Sequence, residues 1–77
     1  MELSQLILSA HSHIVSAHAL EPMDMDAAFE CERQAWDAAY EAGLQSATTT
    51  EFPELFVTSR TLTQAWTKAR ADRSLST

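Results

Sequence analysis

Apolar residues recur along Leu3–Leu20 at Leu3, Leu6, Ile7, Ala10, Ile14 and Ala17. That spacing is the one-sided stripe of an amphipathic helix. Leu8 and Val15 lie beside the stripe, seven residues apart, and the other positions carry Ser, Gln and His rather than full charges. So mild a polar face suits a helix packed on more than one side. Pro22 is expected to stop it, because a proline biases the preceding residue, here Glu21, away from the α region.

A second helix is predicted over residues 25–42. Asp24 is placed as its N-cap and Asp26 in its first turn, where acids meet the positive end of the helix dipole. Gly43, the only glycine in the chain, reads as the residue just past the helix end, in the left-handed conformation that glycine enters cheaply. A polar break follows at 46–50. The Phe52-Pro53 pair and the apolar Leu55, Phe56 and Val57 then predict a short turn near 53–57, merging into a third helix over 59–73. Leu55, Ser59, Leu62, Trp66 and Ala69 share one face of it. Thr61 through Gln64 has the form of a capping box, and residues 74–77 are expected to fray. The pattern predicts an all-α fold, a small bundle of three helices in one domain covering residues 1–77.

Placed on a helical wheel, the second helix divides into three faces. Ala28, Cys31, Ala35, Ala38 and Ala42 fall within about 40° of Asp24, a small-residue face suited to close helix packing. Phe29, Trp36 and Tyr40 form an aromatic band for the core or for a second subunit. Asp26, Glu30, Asp37 and Glu41 form an acidic stripe that folding does not require. Its like charges at i,i+4 cost a few tenths of a kcal/mol per pair, which Arg33 returns by pairing with Glu30 and Asp37.

Charge sharpens this picture. The chain carries net charge −6, and Glu21 to Glu41 holds seven acids against Arg33 alone. Arg60, Lys68, Arg70 and Arg73 stand against Asp72 near the other end. Direct nucleic-acid binding needs clustered cations on phosphate and is disfavoured by the overall balance. A basic protein surface is the partner that fits. A chain of 77 residues has a small core and no disulfide, since Cys31 is its one cysteine. Stability at this size often comes from association, and a homodimer is expected.

The chemistry expected of an enzyme is missing. One glycine cannot build a phosphate loop, an exposed acid stripe has no burial to separate carboxylate pKa values, and acids around Cys31 would raise rather than lower its pKa. His11, His13 and His18 do not share the i,i+3 or i,i+4 spacing of helical metal ligands, so neither metal nor cofactor is expected. Clustered at an interface, these histidines would make association pH-sensitive near pH 6. No stretch reads as membrane-spanning. Ala17-His18-Ala19 looks like a signal-peptide cleavage site, but no cation precedes the apolar run, and a cytoplasmic protein is expected.

The segments Arg33-Gln34-Ala35-Trp36-Asp37-Ala38-Ala39-Tyr40-Glu41-Ala42-Gly43, Phe52-Pro53 and Ala65-Trp66-Thr67-Lys68-Ala69-Arg70 resemble the ribosome modulation factor-like family of small helical bacterial and phage proteins. The matching positions are Tyr40, Ala42, Gly43, Pro53, Trp66, Ala69 and Arg70. The glycine-tryptophan pair usual in that family's last helix is absent, and Leu3–Leu20 lies outside the resemblance. It implies a two-helix unit and a ribosome- or RNA-associated regulator acting through Arg60, Lys68, Arg70 and Arg73.

The residues themselves favour a non-enzymatic regulator that docks its acidic helix on a larger protein or nucleic-acid-handling complex and inhibits or modulates it. Phage anti-defence proteins, anti-CRISPR proteins among them, share this size and acidity. A third expectation is an antitoxin or a dimeric assembly subunit.

Overall fold

The computed structural model describes residues 2–47 and 49–75. Three α-helices and one short 3-10 turn follow in order: α1 (Leu3–Leu20), α2 (Met25–Gln45), the turn Glu54–Phe56, and α3 (Arg60–Leu75). Among the described residues there is no strand, and no helix is long and apolar enough to cross a membrane.

α2 is the spine. At 1.5 Å per residue its 21 residues run about 31 Å, most of the 42 Å length of the molecule. α1 and α3 each pack along α2, and the turn Glu54–Phe56 touches both outer helices. What α2 buries is almost all small: Ala28, Ala35, Ala39, Ala42 and Gly43. Small residues let helices approach closely but remove little apolar area from water. The bulk of the core comes instead from Leu6 and Ile14 of α1, Phe56 of the turn, and Leu62 and Trp66 of α3. Each such large side chain contributes about 1.5–3 kcal/mol on full burial.

α1 has the expected bounds, but its end differs in mechanism. Glu21 keeps helical torsions, and its N–H still donates to Ala17 O. The helix stops one residue later because Pro22 has no N–H to give. Asp24 then caps α2 as expected, with Oδ1 accepting from the Ala27 N–H at 3.1 Å.

Gly43 corrects the sequence reading. α2 runs through it to Gln45, and Gly43 does not have positive φ. The residue is required for space instead. A Cβ there would lie 2.6 Å from the Ala69 Cβ and 3.0 Å from the Trp66 carbonyl oxygen. Ser46 terminates α2, its hydroxyl donating to Gly43 O at 2.7 Å.

The small face of α2 is also rotated from the expected one. Ala39 is fully buried, whereas Cys31 and Ala38 are half-buried. Two outer helices draw the face toward Ala39 and Gly43, the side that meets α3.

The start of α3 is set by Ser59, not by the Thr61–Gln64 box. Ser59 Oγ accepts from the Leu62 N–H at 3.3 Å. Thr61 reaches Glu32 instead, and Thr63 donates its hydroxyl to Phe56 O at 2.8 Å. The Phe56 carbonyl also accepts from the Ser59 N–H, so the 3-10 turn is separate from α3 but tied to it. Phe56 is fully buried, edge-on to Phe52 and Trp66 at ring distances of 6.3 and 5.9 Å. Ser74 and Leu75, expected to fray, are helical; residues 76 and 77 lie outside the described residues.

Candidate functional site: the outer face of the central helix

Asp26, Glu30, Asp37 and Glu41 are all exposed along α2. Arg33 sits within their stripe and is held by two of them. Its Nη2 and Nε donate to the two Glu30 oxygens at 2.6 and 3.3 Å, and its Nη1 donates to Asp37 Oδ2 at 3.2 Å. The Arg33 hydrogen bond first, and its charge second, hold the Glu30 carboxyl below its ordinary range. Glu41 accepts from Gln45 at 3.2 Å. A ladder of Glu30, Arg33 and Asp37 thus lies between Asp26 and Glu41.

The aromatic band splits. Trp36 and Tyr40 stack at 5.1 Å and pack against the core. Tyr40 donates its hydroxyl to Asp72 Oδ2 at 2.5 Å, tying α2 to the end of α3. Phe29 belongs to neither. It stands 62% exposed, beside Met25 at 59%.

Two of the basic residues of α3 are engaged within the molecule. Arg70 turns onto the loop after α2, its Nη1 donating to Ser46 Oγ, Ala47 O and Thr50 O at 3.2, 3.2 and 3.4 Å. Its guanidinium also lies 5.8 Å from the Trp66 ring centre. Lys68 pairs with Asp72 at 3.3 Å. Arg60 is exposed at the first position of α3, a full helix length from Arg73 in its last turn.

Two clefts flank Phe29. One of about 350 Å³ lies where the end of α1, the start of α2 and the start of α3 converge, with Glu21, Met25, Glu32 and Arg60 among its walls and Ala28 in its lining. A shallower one of about 270 Å³ is bounded by Trp36, Asp37, Arg33 and Thr61. Phe29, Glu32 and Thr61 line both. Glu32 Oε1 accepts from the Thr61 hydroxyl at 3.3 Å, which holds the carboxylate at the ridge between the clefts.

Glu32 and Thr61 were not among the candidate site residues read from the sequence, where Thr61 entered only as a helix cap. The available signal was the position of Glu32 on the wheel, between the small face and the aromatic band, where an acid meets the seam of a neighbouring helix. His11 and His13 are half-buried on α1; His18 is exposed, 3.9 Å from Glu21. Among the described residues no group of three or more His, Cys, Asp or Glu is placed to hold a metal ion.

Fold and surface define a small three-helix protein whose central helix presents an acidic face with one protruding aromatic. No family model, no curated protein and no solved structure matches the chain.

Proposed function

We propose that this is a non-enzymatic binding protein that docks the outer face of α2 on a basic surface of a larger protein and modulates it. The observation that carries this reading is Phe29, 62% exposed within a segment of seven acids and one arginine. An aromatic that folding leaves in water, on a helix segment whose charge is mainly negative, has the composition of a binding hot spot with a steering field around it. Internal pairing by Arg33 neutralises only part of that field. Inhibition of a nucleic-acid-handling protein is the role such a face would serve, because its natural competitor on a basic site is a phosphate backbone.

The test is recovery of partners from the native host lysate by the wild-type chain and by a variant with Asp26, Glu30, Asp37 and Glu41 changed to Lys. A protein with a basic surface is expected with the wild type at low salt. It should be absent with the variant, whose helicity by circular dichroism stays intact. Equal recovery by both chains contradicts the proposal.

A homodimer is compatible with this reading and uses a different face. Leu8 and Val15 are 60% and 53% exposed on the side of α1 away from the core. Leu3–Leu20 contains no Asp, Glu, Lys or Arg. In a chain of charge −6, that outer side is where two copies meet with least repulsion. RNA contact through Arg60, Lys68, Arg70 and Arg73 draws no comparable support, with Arg70 turned onto the loop and Lys68 paired with Asp72.

A further inference from the structure

We infer that the two clefts beside Phe29 receive a basic amphipathic helix of a partner protein, with bulky apolar side chains entering the clefts and Lys or Arg meeting the acids at their rims. This rests on the docking reading and names what the face takes. Charge alone would need no cavities. Here apolar and acidic side chains share the clefts: Ile14, Met25, Ala28 and Phe29 stand beside Glu21 and Glu32 in the larger cleft, whose lining is part polar, and Phe29 and Trp36 stand beside Glu32 and Asp37 in the smaller, mainly apolar one.

Spacing argues for a helix. On α2 the larger cleft is bounded by Met25 to Glu32 and the smaller by Phe29 to Asp37. Their centres are therefore offset by about one turn of α2, roughly 5–7 Å. Apolar residues at i and i+4 of an incoming helix have that separation, and helix-in-groove recognition uses such anchors.

Charge complementarity fixes the sign of the occupant. Between Glu21 and Asp37 stand six acids and Arg33, and Arg33 already pairs with Glu30 and Asp37. Arg60 is the cation on the wall of the larger cleft. Glu32, held by Thr61 on the ridge, is placed to receive a cation from a side chain whose stem lies along Phe29. An acidic helix would meet net repulsion from the more numerous acids, and a neutral one would forgo the long-range attraction that speeds encounter.

The probes are two short labelled helical peptides of equal charge, one of Leu and Lys with Leu on one face, the other with Gln in place of Leu. Binding is followed by fluorescence anisotropy to the full chain and to Phe29→Ser, whose exposed site leaves the fold undisturbed by circular dichroism. The Leu/Lys peptide should bind, about tenfold more tightly than the Gln/Lys peptide, and lose about tenfold with Phe29→Ser. The Gln/Lys peptide should be indifferent to that substitution. If both peptides bind alike, or Phe29→Ser changes neither, the groove inference falls while acidic docking stands. If neither peptide binds even at low salt, both fall.

Discussion

Gly43 and Ala69 pack so closely that no Cβ fits between α2 and α3 at this crossing. The added atom would meet the Ala69 Cβ at 2.6 Å and the Trp66 carbonyl at 3.0 Å, and neither can swing aside. Gly43→Ala improves helix propensity by about 1 kcal/mol. Overpacking opposes it by about 1–3 kcal/mol. The variant should therefore unfold at a lower temperature than wild type. Adding Ala69→Gly should recover part of the loss, a coupling that a double-mutant cycle reads directly. A higher midpoint for Gly43→Ala would show that the helices are not in contact there.

The link between Tyr40 and Asp72 makes stability depend on pH at both extremes. The Tyr40 hydrogen bond first, and Lys68 second, hold the Asp72 carboxyl below its ordinary range. Its contribution is fully present above the ordinary carboxylate value and lost as pH falls through the depressed folded value. Tyr40 is raised by the same bond, so its contribution is present below the ordinary phenol value and lost as pH rises through the raised one. Tyr40→Phe should lower the thermal midpoint at neutral pH, and the gap to wild type should close in strong acid. A gap that persists at low pH would mean that Asp72 is not the partner that matters.

Arg70 acts as a clamp on the loop after α2. Its hydrogen bonds to Ser46, Ala47 and Thr50 join α3 to the residues that end α2, where the helix dipole also favours a cation. Arg70→Ala should cost about 1–3 kcal/mol and speed amide exchange at Ser46. Arg70→Lys should rescue poorly, because an ammonium lacks the planar fork and the ring-stacking face of a guanidinium. Full rescue by Lys would assign the effect to charge alone.

These contacts explain which parts of the molecule could be read in advance. The bounds of α1 follow from its stripe and Pro22, both local. Gly43 obeys two rules at once: glycine ends helices, and glycine permits close approach. Which rule operates depends on Trp66 and Ala69, more than twenty residues away, so no local pattern decides it. The capping box read at Thr61–Gln64 gave way for a similar reason. Thr61 is drawn to Glu32 across the helix seam, and Ser59 is left to cap. The acidic stripe was legible because exposed helix faces follow periodicity. The clefts were not, since each joins residues from separate helices.

Leu8 and Val15 give the outer side of α1 its two apolar projections. Leu8→Asp with Val15→Asp should convert a dimer to monomer by sedimentation equilibrium, with helicity retained. Substitutions at exposed sites seldom disturb the fold by more than about 0.5 kcal/mol. A wild-type chain that sediments as a monomer at micromolar concentration would remove the dimer from the picture.

The most direct test of the docking face is residue-resolved. A nitrogen-15-labelled chain titrated with the Leu/Lys peptide should shift the amides of Phe29, Glu32 and Thr61 first, with Glu21 and Asp37 following, and the shifts should weaken as salt is raised. Arg33→Gln should tighten binding by removing a cation from the face. Shifts confined to Leu8 and Val15 on α1, or spread evenly over the surface, would contradict the claim that the acidic, aromatic side of α2 is where this protein meets its partner.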